Sequence, residues 1–95
     1  MYKTDDINAA DKSIRNMFDD AVKRHPNWSM FSFSDMTLIL AEECGEAIQV
    51  VNDISEYSDD LEMQRDLLMH YVVEVSQVGA VARRILAEIH RRDRG

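Results

Sequence analysis

Apolar residues along this chain recur every three to four positions, and no stretch alternates with the period of two that marks a strand. In the first stretch Ile7, Ala10, Ile14, Met17, Phe18, Ala21 and Val22 advance by steps of 3, 4, 3, 1, 3 and 1, one stripe of a helix with about 3.6 residues per turn. A helix over about residues 5–24 is predicted, with Thr4 or Asp5 as its cap and Lys23-Arg24 suiting the dipole of its last turn. Pro26 ends it, because the residue before a proline is driven out of the helical region. The connection from His25 to Phe33 is short and aromatic, and Ser34 with Asp35 reads as the start of a second helix over about 35–53. Between Met36 and Ile54 that helix is apolar at eleven of nineteen positions, on nearly every side. After a polar connection, in which Ser58 or Asp59 is the expected cap, a third helix covers about 60–91 and leads into a basic, solvated tail. Its residues Leu61, Leu68, Val75, Ala82 and Ile89 repeat every seven positions, with Val72, Gly79 and Leu86 as the companion seam of long helix-on-helix packing. Gly79 implies either a close helix approach or a kink.

The expected fold is therefore all-α, a helical bundle in a single domain spanning 1–95. Two long apolar helices cannot both be covered by one amphipathic partner, so self-association into at least a homodimer is expected, with a four-helix arrangement across the subunits. Composition adds limits to this. A net charge of −7 argues against nucleic acid as the main partner, since such binding draws on basic residues meeting phosphates. No apolar run approaches the roughly 18 residues of a membrane span, and the polar N-terminus lacks a secretory leader's apolar segment. With one cysteine, Cys44, there is no internal disulfide, and a cytoplasmic location is expected.

Candidate chemistry lies where the apolar pattern is broken. Glu42, Glu43 and Glu46 interrupt the second helix, with Glu42 and Glu46 about 40° and Glu43 and Glu46 about 60° apart around its axis. The third helix carries His70, Glu74 and Gln77 in a polar line among valines. Buried carboxylates are costly unless paired. If the two helices pack antiparallel, Glu43, Glu46, Glu74 and Gln77 converge, and oxygen donors with little sulfur or imidazole select Mg²⁺ or Mn²⁺. The plainer alternatives are a solvated acidic face for the three glutamates, a cross-bundle hydrogen bond for Gln77, a packed histidine at His70 and a solvent position for Asp53. Trp28 is either a core aromatic or, if the connection closes over the site, a platform for a nucleobase. Among the basic residues, solvated by default, Arg83 is the first choice for touching a triphosphate.

Glu42-Glu43-Cys44-Gly45-Glu46 resembles the EExxE motif of the MazG-like all-α nucleoside triphosphate pyrophosphohydrolases, and Glu74-Val75-Ser76-Gln77 stands where that family has ExxD. The resemblance covers roughly Phe33 to Ile89. It implies house-cleaning hydrolysis of a nucleoside triphosphate, ribo or deoxy, between the α and β phosphates, releasing a monophosphate and pyrophosphate. Glu43, Glu46 and Glu74 would hold Mg²⁺. Glu42 would be a further ligand, an outer anchor or the group that orients the attacking water. The self-association expected from the apolar helix faces would give a homodimer or homotetramer. The chain departs from the pattern at Gln77, where the family has aspartate, and a neutral oxygen there lowers metal affinity. Two alternatives stay open: a catalytically weakened relative that binds metal or nucleotide, and a structural helical module.

Overall fold

The computed structural model describes residues 1–56 and 59–95. Among them are three α-helices, α1 (Thr4–Arg24), α2 (Phe33–Glu56) and α3 (Leu61–Arg94), with a 3₁₀ turn at Trp28–Met30 and no strand. The all-helical expectation holds. Each helix begins where a side chain or backbone group satisfies its first amides. Asp6 accepts from the Lys3 amide at 2.9 Å, so α1 starts one residue before the expected position. Ser32, rather than Ser34, caps α2. Its hydroxyl accepts from the Asp35 amide at 3.1 Å, while Asp35 accepts from the Ser32 amide at 3.1 Å, a reciprocal capping box. Asp60, not Asp59, caps α3 by accepting from the Met63 amide at 3.0 Å; the other expected cap, Ser58, lies outside the described residues.

At about 1.5 Å per residue, the 34 residues of α3 account for the 53 Å long axis of the molecule. Both shorter helices pack on it. Met36 meets Val81 and Glu46 approaches Glu74, so numbers rise along α2 as they fall along α3, and the two are antiparallel. Ile14 lies against Gly79 and Ala21 against Arg84, so α1 runs parallel to α3. Gly79 serves close approach: a methyl group there would sit 2.9 Å from two atoms of Ile14.

The core is small. Trp28, Met36 and Val81 form its centre, ringed by Phe31, Ile39, Leu40 and Ile85. Arg84 ties it to α1, donating from Nη1 to the Ala21 carbonyl at 2.7 Å and from Nη2 to the His25 carbonyl at 3.1 Å, with its guanidinium 4.5 Å above the Trp28 ring. These bonds close the C-terminus of α1, where orphan carbonyls need donors. The basic end of α3 is helical to Arg94, not a solvated tail. Arg91 and Arg92 both donate to Glu88, and Arg92 also donates to the Phe31 carbonyl at 2.7 Å and covers the Phe33 ring at 4.5 Å. Outside the core, the α3 seam is open: Leu61, Leu68, Val72, Val75, Leu86 and Ile89 are all exposed, as are Leu38, Ile48 and Val51 of α2. No helix among the described residues is long and apolar enough to cross a membrane.

Candidate metal centre

Antiparallel packing of α2 on α3 brings one oxygen from each of Glu43, Glu46 and Glu74 within 4.8 Å of one another. Glu43 and Glu74 are buried, at 4% and 9% exposure, and Glu46 stands at the solvent edge. Each buried carboxylate is held by one oxygen and free at the other. Arg24 donates from Nη2 to Glu43 Oε1 at 3.1 Å. His70 Nε2 is 3.1 Å from Glu74 Oε1. The second oxygens, Glu43 Oε2 and Glu74 Oε2, are buried with no hydrogen-bond partner among the described residues. An orphaned buried carboxylate oxygen costs free energy until a proton or a cation meets it.

The electrostatics follow from this arrangement. Burial, more than any neighbour, pushes the Glu43 carboxyl above the usual glutamate range; Glu46 and Glu74 add repulsion, and Arg24 pulls the other way. Burial also raises Glu74, followed by the Glu46 carboxylate beside it, which favours a proton between them and repels a second charge, while His70 opposes the rise. Like charges crowded into a partly dry site hold protons tightly, and a divalent cation could take their place. Three hard carboxylate oxygens, two from buried side chains with free lone pairs, are the donor set that Mg²⁺ or Mn²⁺ takes. The residues present fit such an ion.

Not every residue nominated by the sequence joins this cluster. Glu42 is exposed and outside it. Gln77 is half-buried one turn after Glu74, and its side chain makes no hydrogen bond among the described residues. Asp53 accepts from Gln49 at 3.1 Å along the exposed side of α2. Trp28 is a core residue: at 4% exposure, with its indole N–H on the Arg84 carbonyl and the Arg84 guanidinium over its ring, it has no face left for a nucleobase. Arg83 is exposed, and nine residues from Glu74 it stands about 180° around the helix, away from the carboxylates. The arginine that does reach the cluster is Arg24, which sequence reasoning assigned to solvent. Its only advance signal was the i, i+4 spacing from Asp20, whose Oδ2 is 3.2 Å from Arg24 Nε.

An apolar groove of about 530 Å³ opens elsewhere, between α1 and α3, lined by Ala10, Ile14, Tyr71, Val72, Val75 and Gly79 among others. No family model, curated protein or solved structure matches the chain.

Proposed function

We propose that this protein is a divalent-metal-dependent nucleoside triphosphate pyrophosphohydrolase of the MazG-like all-α type. The observation that carries the reading is the convergence of Glu43, Glu46 and Glu74 with two buried carboxylate oxygens left free. The two acidic motifs that resemble those of the family are the ones that supply these residues.

In this reading Glu43, Glu46 and Glu74 hold Mg²⁺ or Mn²⁺, and a bound cation of this kind polarises phosphoryl oxygens and lowers the pKa of water. Glu43 and Glu74 fix the geometry because burial restricts their rotamers, and Glu46 at the solvent edge faces the incoming substrate. Glu42, exposed beside Glu43, is placed by the proposal as the group that orients the attacking water and takes its proton. Water adds at phosphorus, the α–β anhydride bond breaks, and monophosphate and pyrophosphate leave. Gln77 contributes at most a neutral oxygen to the rim, one negative charge fewer than aspartate would give. That substitution favours the second reading, a relative that binds metal or nucleotide with little turnover.

The assembly belongs to the same proposal. A homodimer or homotetramer would bury the exposed seam of α3 and the apolar residues of α2 that the isolated chain leaves in water.

The test is product analysis with a panel of NTPs and dNTPs, Mg²⁺ or Mn²⁺, and a Glu46→Gln control. Monophosphate plus pyrophosphate, falling by at least about a hundredfold in the control, is the expected result. Metal binding without turnover of any nucleotide would select the binding-only relative. If millimolar Mg²⁺ or Mn²⁺ left the melting temperature unchanged and Glu46→Ala raised it, neither would stand, and the chain would be a structural helical module.

A further inference from the structure

The geometry points to Arg24 as the residue that receives the polyphosphate chain of the substrate, an assignment that rests on the metal-dependent reading above. A polyanion approaching this site meets three carboxylates on a protein of net charge −7. One divalent cation leaves the three carboxylates at about −1, and the Arg24 guanidinium, shared with Asp20, puts a positive charge beside them. Arg24 stands in that position, 3.1 Å from Glu43 Oε1 with its side chain 38% exposed. Fewer than half of its donors are used. Nε is committed to Asp20 and Nη2 to Glu43, while Nη1 has no partner among the described residues. Of five guanidinium N–H groups, the two on Nη1 are therefore free, together with the second on Nη2. Paired N–H groups on adjacent nitrogens match the spacing of two phosphate oxygens.

Two carboxylates, one from its own helix and one from α2, already restrain the Arg24 side chain, so little rotamer freedom remains to be lost when an anion binds. The arginines of α3 offer no such arm. Arg84 is spent on the carbonyls of Ala21 and His25 and Arg91 and Arg92 on Glu88, whereas Arg65 and Arg83, each nine residues from Glu74, face the other side of the helix, and Arg94 lies at its far end, about 30 Å along the axis. His70, the other basic side chain touching the cluster, is engaged with Glu74. Arg24 thus replaces Arg83 as the phosphate contact. Because it sits on α1 whereas the carboxylates sit on α2 and α3, all three helices contribute to one site.

The test is calorimetric titration with Mn²⁺ alone, then with inorganic tripolyphosphate in the presence of Mg²⁺, a probe that carries no nucleobase. In Arg24→Gln, Mn²⁺ affinity is expected to stay equal or tighten, since a neighbouring positive charge is gone, while tripolyphosphate binding weakens at least tenfold. Arg24→Lys, which keeps the charge but not the fork, is expected to weaken tripolyphosphate binding severalfold with Mn²⁺ unchanged; it decides the matter alone if the glutamine variant fails to fold. Arg83→Gln should match wild type within twofold. Unchanged tripolyphosphate binding in both Arg24 variants would overturn the assignment, and so would loss of Mn²⁺ and tripolyphosphate together, which would make Arg24 a support for Glu43 only. A wild-type protein that binds Mn²⁺ but no tripolyphosphate leaves the metal reading intact and removes this one. A wild type that binds no Mn²⁺ removes both.

Discussion

Glu43, Glu74 and Glu88 are all buried glutamates, yet their surroundings drive them in opposite directions, and pH should separate them. The carboxyls of Glu43 and Glu74 lie above the ordinary value of 4.5 because burial outweighs their basic neighbours. The folded protein then holds more protons than the unfolded chain, so their favourable contribution is complete below pH 4.5 and is lost as pH rises through the raised values. Glu88 is held at about 2, chiefly by the hydrogen bond from Arg91 and then by Arg92. Its contribution is present above pH 4.5 and disappears as pH falls through about 2. Without metal, the melting temperature should therefore pass through a maximum on the acid side of neutrality, and saturating Mn²⁺ should flatten the decline toward alkaline pH. Thermal melts of wild type and Glu74→Gln across that range check this: the variant should lose much of the alkaline slope, and an unchanged slope would place the strain elsewhere. Glu43, Glu46 and Glu74 were legible in the sequence because helical spacing and apolar flanks, with antiparallel packing of the two helices, bring them to one place. Arg24 was not, because its partner depends on where α1 ends relative to α2. Trp28 was legible as an aromatic in a short connection, but its burial was set by Arg84, fifty-six residues away.

At the level of elements, hydrophobic periodicity gave the three helices to within a few residues, and the errors have a common cause. Ser34 and Asp59 are reasonable caps by residue type, but the capping choice is made by which side chain meets an amide three residues on, and Ser32 and Asp60 do so. The last turns of α3 read as a tail because three arginines look solvated, whereas Glu88 pairs with Arg91 and Arg92, and the carbonyls of Ser29 and Phe31 anchor Arg92. Gly79 left a choice between kink and contact, and its closeness to Ile14 resolves it as contact. The two mid-helix glycines should consequently answer alanine with opposite signs. Nothing lies within 4 Å of the position a methyl group would take at Gly45, so Gly45→Ala should stabilise by up to about 1 kcal/mol through helix propensity. At Gly79 the same gain is set against overpacking of about 1–3 kcal/mol on Ile14. Urea melts of the two variants make the comparison: a net loss is expected at Gly79, and a gain there equal to that at Gly45 would mean the α1–α3 contact is loose.

Taken as a whole, the chain is too open for its size. Its surface of 7105 Å² exceeds the about 5,600 Å² expected of a compact monomer of this mass, and its 15.5 Å radius of gyration exceeds about 12 Å. The excess is nearly twice the roughly 800 Å² that each partner gives to a standard subunit interface, and the exposed apolar residues include those of the seven-residue repeat along α3. Light scattering should accordingly give a mass at a multiple of 11.0 kDa, shifting toward that value in a Leu68→Glu, Val72→Glu double variant. A wild-type mass of 11.0 kDa at micromolar concentration would show that the seam stays in water.

The position of α3 in the chain also fixes an order of events. Both α1 and α2 pack on a helix that follows them in sequence, and the residues that hold the α1–α2 connection, Arg84 and Arg92, come near its end. During synthesis α1 and α2 emerge before the helix on which both pack, and most helical stability in proteins comes from such packing of an apolar face. The carboxylate cluster cannot assemble until Glu74 has been added and α3 has turned back along α2. Packing of the three helices is thus deferred until α3 has been made, and until then the apolar stripes of α1 and α2 that it covers stay in water.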